Sequence, residues 1–362
     1  MSAFGIDAWL SLGACGVVDG YGAVAAWIAG RLQLMDARVD SPSADVVGLV
    51  EAACAGGDVS GELAQLARCR PDLVRPFHRR LVDADVWWPV DLYRGMDEVT
   101  AEYLVQRIEA GAQRPDKLLE LLAVGATDTA VEAMWRWDRQ PPAWASRLHW
   151  PVHRYAHVGG WEFDSAGAVR PLTSTVAFAL VPDESGTAAV SGGVLVSWCR
   201  WCDLPLWRLL DVDLSTGTLP DITAPEADRV VVASCIRCGC FANVFTEYDT
   251  AGSCRWAEDN QRPDFLGHED PPWQLPTAPP LCIGPPRPTP FAADASRADG
   301  STFGGSPDWL GDPWYPSCPR CHQTMLYVGM ITGDDLWSVS SGGCRYLFFD
   351  AQCGLAVAVY QN

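Results

Sequence analysis

Cys199-Arg-Trp-Cys202 and Cys235-Ile-Arg-Cys238 are the stretches whose reading decides the fold. Two CxxC knuckles at this separation are common in zinc ribbons. The tight turn inside each points both sulfurs at one centre, and four thiolates satisfy the tetrahedral coordination of a structural Zn2+ site. Further on, Cys318-Pro-Arg-Cys321 is followed at a similar distance by Asp350-Ala-Gln-Cys353. This second pair matches the first except that Asp350 stands where Cys235 stood. Carboxylate oxygen is an acceptable zinc ligand, so Cys318, Cys321, Asp350 and Cys353 form a degenerate set of three thiolates and one carboxylate, with Cys344 and His322 as reserve donors. The competing readings are a redox dithiol or plain buried cysteines for the first set, and a metal-free relic for the second.

The match extends past the ligands. Leu206, Leu209 and Val212 follow Cys199 at the offsets at which Met325, Val328 and Ile331 follow Cys318. A strand-like run, Arg229 to Ser234, leads into Cys235, as Arg345 to Phe349 leads into Asp350. An internal repeat is the economical account. A structural zinc contributes on the order of 10 kcal/mol or more to folding and leaves no open coordination position. The first set therefore reads as scaffold rather than catalytic centre.

Composition narrows the function classes. The chain has 362 residues, room for two or three domains, and a formal net charge of −19. Such a surface repels phosphates and anionic membranes and favours basic partners. The knuckles carry only scattered arginines, so nucleic-acid binding is not expected. The 14 cysteines, several paired as CxxC in a long chain, fit a reducing cytoplasm better than a secreted disulfide scaffold. No Lys or Arg precedes Arg31, which argues against a secretory signal. Ala8 to Gly30 is nearly uncharged, but Asp19 at its centre would cost about 3 kcal/mol in a bilayer. No membrane span is expected.

Along the chain we expect an α+β protein. A helical domain, a bundle or HEAT-like stack, covers 1–143. Its apolar periodicity runs through Val47, Leu49, Val50 and Ala53, then Tyr103, Leu104 and Ile108, then Leu118, Leu119 and Leu122. Helix starts are expected at Pro115-Asp116 and Thr127-Asp128. A first β-rich, zinc-ribbon-like half with the four-cysteine site covers 144–270. A connector with nine prolines between Pro271 and Pro290 covers 271–302. A second, related β-rich half covers 303–362.

Other motifs carry less. Gly20-Tyr-Gly22-Ala-Val-Ala25, with Asp40 beyond it, is a weak dinucleotide fingerprint with no βαβ context. Walker A, HExxH and GxSxG sequences are absent. His149, His153 and His157 recur every fourth residue, but Pro151 breaks a shared helix face. Asp211 and Asp213 flank Val212 and would share one strand face, which suits either paired acid/base work or a solvated edge. Trp198, Trp201 and Trp207 surround the first knuckle; Trp309 and Trp314 are candidates for an exposed binding patch.

The run Phe303-Gly-Gly-Ser-Pro-Asp-Trp309, then Tyr315-Pro-Ser-Cys318-Pro-Arg-Cys321, Met325, Tyr346-Leu-Phe-Phe349 and Cys353-Gly354 resembles the bacterial YwqG-like proteins of unknown function. It is also similar to the Gly-Gly-x-Pro-x-Trp signature of the programmed cell death protein two family. Cys199-x-x-Cys202, Leu206, Asp211, Asp213, Phe245-Thr-Glu247, Gly252, Trp256, Asn260 and Pro263 resemble the paired-knuckle region of actinobacterial relatives. The resemblance covers Trp144 to Asn362. It implies a duplicated zinc-carrying β domain in cytoplasmic proteins without established enzymatic activity. Its eukaryotic members act as chaperones for a ribosomal protein, and some bacterial members as immunity or partner-binding proteins. The expected function is accordingly a non-enzymatic, zinc-stabilised protein-binding module with a basic protein partner. The alternative is a metal-containing hydrolase or transferase in a cleft between the β halves, with Asp211, Asp213 or His153 as acid/base.

Overall fold

Short helices fill most of residues 42–155, and local chemistry sets their ends. The structure, a computed structural model, describes residues 42–183, 189–215, 227–249, 251–266, 275–287, 300–337 and 343–362. The Ala8–Gly30 stretch, the Gly20–Ala25 fingerprint and Asp40 lie outside these residues. Helices α1 (Pro42–Cys54), α2 (Ser60–Cys69), α3 (Pro71–Val74) and α4 (His78–Asp83) precede α5 (Glu98–Glu109), α6 (Pro115–Gly125), α7 (Asp128–Arg139) and α8 (Val152–Tyr155). Pro115 opens α6, where its missing N–H costs nothing. Thr127 caps α7 by accepting the Ala130 amide at 3.2 Å, while the Glu98 carboxylate accepts the Asp128 and Thr129 amides. In α1 the buried stripe is Val46, Val50 and Ala53, and Val47 faces out.

The helical part continues past the expected boundary at residue 143. Pro141 and Pro142 stop α7, but Val152, Tyr155 and Ala156 still pack into the same core as Leu104, Leu119 and Met134. Trp161, at the start of strand β1 (Trp161–Phe163), closes that core and donates its indole N–H to the Ala123 carbonyl at 2.8 Å. Among the described residues β1 pairs only with β2 (Val169–Pro171).

The remaining strands are β3 (Ala177–Pro182), β4 (Val194–Trp198), β5 (Pro205–Asp213), β6 (Arg229–Ser234), β7 (Val244–Tyr248), β8 (Cys254–Trp256), β9 (Leu281–Pro286), β10 (Thr302–Gly304), β11 (Leu326–Thr332), β12 (Cys344–Asp350) and β13 (Leu355–Gln361). They form an antiparallel eight-stranded sheet ordered β8-β7-β13-β12-β11-β10-β3-β9 and a three-stranded sheet ordered β4-β5-β6. Along β12 the side chains alternate: Leu347 and Phe349 join Leu209, Leu210, Val230 and Val232 of the small sheet in one core, while Tyr346 and Phe348 join Tyr315, Tyr327 and Trp309 in another. Period-two alternation thus lets one strand serve both faces.

Two expectations about the halves change here. Strands from the 144–270 segment, β3, β7 and β8, are built into the same sheet as β10 to β13, so the two segments interleave. The proline-rich connector supplies β9, which lies at the sheet edge; Pro285 and Pro286 are tolerated there because an edge strand need not donate on its outer side.

Candidate metal centres

The knuckles are held by the same backbone bonds in both copies. Cys199 N–H donates to Leu204 O at 2.8 Å and Asp203 N–H to Cys199 O at 2.9 Å. In the second copy Cys318 N–H donates to Gln323 O at 2.8 Å and His322 N–H to Cys318 O at 2.9 Å. The residue after each knuckle is left-handed, Asp203 with φ 57° and His322 with φ 62°. His322 is therefore the turn residue of its knuckle.

The strands leaving and re-entering the knuckles keep the same register. Trp207 faces Ser234 as Leu326 faces Phe349, and Asp213 faces Arg229 as Thr332 faces Cys344. Each pair carries a bulge at the same place, Leu209 in β5 and Val328 in β11. Both bulged residues are fully buried. The copies part after the second knuckle. Gly354, at φ 62°, turns the chain straight back so that β13 pairs with β12. After Cys238 a 3-10 turn over Cys238–Cys240 carries β7 away to pair with β13 instead of β6.

The four Sγ atoms of Cys199, Cys202, Cys235 and Cys238 lie within 4.8 Å of one another, with Cys202 and Cys235 at 3.4 Å. A tetrahedral zinc with sulfurs about 2.3 Å away separates them by about 3.8 Å, so the donor set fits the ion. Every described cysteine is a free thiol. Cys199, Cys235 and Cys238 are fully buried among Leu206, Val244, Trp256 and Leu266, and Trp201 packs edge-on against Trp256. Hydrogen bonding with Cys199 pulls Cys202 and Cys235 below the usual thiol range, while Cys199 is pushed up chiefly by Cys202, and Cys238 chiefly by Cys199.

The structure also brings Cys318, Cys321, Asp350 and Cys353 within the same 4.8 Å limit. The Cys321 thiol donates to Asp350 Oδ2 at 3.1 Å, and the Cys353 amide donates to Asp350 Oδ1 at 3.2 Å. That amide bond repeats the first site, where Cys238 N–H donates to Cys235 Sγ at 3.3 Å. Burial works to raise the Asp350 carboxyl, but the thiols of Cys318 and Cys321 and the Cys353 amide outweigh it and hold it below the usual carboxylate range. Desolvation pushes Cys318 and Cys353 up. Of this set only Cys318 is fully buried. Cys344 lies at the far end of β12 from Asp350 and belongs to neither set.

Sequence reading missed the arginines that join the copies. Arg345, 2% exposed, projects from β12 to donate to Ile236 O, inside the first knuckle, at 3.3 Å and to Cys240 Sγ at 3.1 Å. Arg320, inside the second knuckle, donates to Asp259 at 2.9 Å, to Cys353 O at 3.2 Å and to Glu247 of β7. Their partners are far away in sequence, so no local pattern could mark them.

The acid/base candidates do not converge. Asp211 pairs with Arg229 at 2.7 Å and Arg208 at 3.7 Å, Asp213 accepts the Ser215 amide at 2.9 Å, and His153, in α8, binds Asp138 at 2.7 Å. His157 lies 3.8 Å from Glu162. A cleft of about 360 Å³ between the helical part and the β10–β11 connection is lined by Asp116, Glu120, His149, Tyr155 and Asp312 among others. Of its three carboxylates, Asp116 pairs with Arg114 and Glu120 with Lys117, and the third is Asp312. Trp309 is half-buried, stacked on Phe348, tilted against Tyr346 and edge-on to Tyr315, and Trp314 is 47% exposed under the Arg154 guanidinium.

Among curated proteins, the Salmonella typhimurium (strain LT2) protein described as Uncharacterized protein YpfL is 31% identical over 278 residues, 76% of this chain. The chain is similar to a bacterial protein of uncharacterised function. It spans 65% of the length of that relative. No family model matches the chain, and no solved structure matches it. No helix among the described residues is long and apolar enough to cross a membrane.

Proposed function

We propose that the chain is a non-enzymatic protein-binding module whose duplicated β unit is held by zinc in the Cys199, Cys202, Cys235 and Cys238 site. The observation that carries the binding role is the apolar side of β4. Val194, Val196 and Trp198 alternate along this strand, which ends immediately before Cys199, and are 54%, 98% and 57% exposed. They alternate with the half-buried Leu195 and Ser197, which marks one exposed side of the strand despite an irregular pairing with β5. Large exposed apolar side chains in a row mark interaction surfaces, and the adjacent metal knuckle makes the strand a rigid platform. The net charge of −19 favours a basic protein partner, in keeping with the resemblance to YwqG-like proteins and the programmed cell death protein two family. An immunity or chaperone-like role fits the same features. The scattered carboxylates and histidine described above give no comparable support to a hydrolase or transferase.

The test is capture of the partner by the full chain and by Val196→Glu. Val196 is almost fully exposed, so the substitution should leave zinc content and circular dichroism unchanged while partner recovery falls by about tenfold or more, the loss of a central apolar contact. Equal recovery by both proteins would remove the β4 surface from the account.

A further inference from the structure

We propose that Cys318, Cys321, Asp350 and Cys353 form an exchangeable zinc site, which loads and empties while the Cys199, Cys202, Cys235 and Cys238 site stays filled. The inference rests on the reading of the first site as a zinc scaffold and assigns the second copy a different task.

Two differences between otherwise equivalent sites carry it. The first is ligand chemistry. Register, bulge, knuckle turn and the amide bond are all repeated, so the copies differ at the metal mainly through Asp350 in place of Cys235. Thiolate is the better match to a borderline-soft ion, and exchanging one sulfur for oxygen weakens the site. The second is access. Cys199, Cys235 and Cys238 are fully buried, whereas in the second set only Cys318 is. A competing chelator reaches the metal there without unfolding a core. A feature the two sites share then eases exchange at the more accessible one. Asp350 Oδ1 is pinned by the Cys353 amide, and Oδ2 holds the Cys321 thiol proton. The pinned oxygen stays in place in both states, so the ligand needs no large rearrangement to bind or release the ion.

The location gives the exchange a consequence. Arg320, between the two cysteines of this knuckle, binds Glu247 on β7, Asp259 beyond β8, and the Cys353 carbonyl. Loading the site therefore fixes the knuckle that clasps the β7–β8 edge of the large sheet, and emptying it frees that clasp.

The experiment mixes zinc-loaded full chain with a colorimetric zinc chelator and follows release together with total zinc. We expect two zinc ions per chain, leaving in two phases whose rates differ by about tenfold or more, the size of ordinary ligand-shell effects. Asp350→Cys should abolish the fast phase while keeping both ions, and Asp350→Ala should lose one ion. Should either variant fail to fold, cadmium-113 substitution of the unmodified chain serves in its place: two resonances are expected, one typical of four sulfurs and one shifted toward oxygen ligation. Two ions released in a single phase, or one ion that Asp350→Ala leaves untouched, overturns the inference and leaves the scaffold reading standing. Absence of zinc in protein prepared without chelator overturns both.

Discussion

Replacing Cys235 with serine removes one sulfur from a site in which that side chain is fully buried. Structural zinc supplies about 10–16 kcal/mol in small zinc modules, or about 3 kcal/mol for each of four ligands. The Cys238 amide, which donates to Cys235 Sγ at 3.3 Å, also loses part of its bond, and a weakened buried hydrogen bond adds about 1 kcal/mol. The expected loss of about 4 kcal/mol is large against whole-domain stabilities of about 5–15 kcal/mol. It should spread in a defined direction. Leu209, Leu210, Val212, Val230 and Val232 of the small sheet share one core with Phe178, Phe303, Ile331 and Leu347 of the large sheet. The helices have their own core around Leu104, Leu119 and Met134. Cys235→Ser should therefore lower zinc content and the unfolding midpoint of the β region, with backbone amide protection against hydrogen exchange lost in β5 and β6 before it is lost in α5 and α6. A variant that keeps all its zinc and unfolds within about 0.5 kcal/mol of the parent, the range of ordinary surface changes, would refute the reasoning.

Further outcomes follow from buried groups. For Arg345, both Arg345→Met and Arg345→Ala remove a buried charge and its bonds to Ile236 and Cys240, so those contributions cancel in their difference. Methionine keeps the stem packed, and Met should exceed Ala by about 2 kcal/mol at about 0.8 kcal/mol per buried methylene, measured by denaturant unfolding; equal stabilities would show that the stem packs against nothing. His78 is fully buried, and burial lowers its pKa to about 4. Because the unfolded chain binds this proton near pH 6.5, stability is fully present above that pH and is lost as pH falls toward 4, by up to about 3 kcal/mol. His78→Phe should flatten that part of the pH profile, and an unchanged slope would assign it to other groups.

The sequence determined the features that short-range geometry controls. A CxxC turn aims two sulfurs whatever lies beyond it, and the residues of both four-member clusters could be named from spacing alone. The equal offsets of Leu209 and Val328 became the same bulge in both copies, because strand registers are tied to the turns that precede them. Helix starts at Pro115 and Thr127 were likewise local. Tertiary structure decided what depends on distant partners. Nothing in Val244 to Tyr248 indicates that β7 pairs with β13 rather than β6, and nothing in Leu281 to Pro286 marks an edge strand within a proline-rich connector. Whether Trp309 is stacked and Val196 bare depends on which surface each side chain meets. Strand partners and burial are chosen by the total apolar area the assembled sheets can cover, a property of the whole arrangement that no single segment carries.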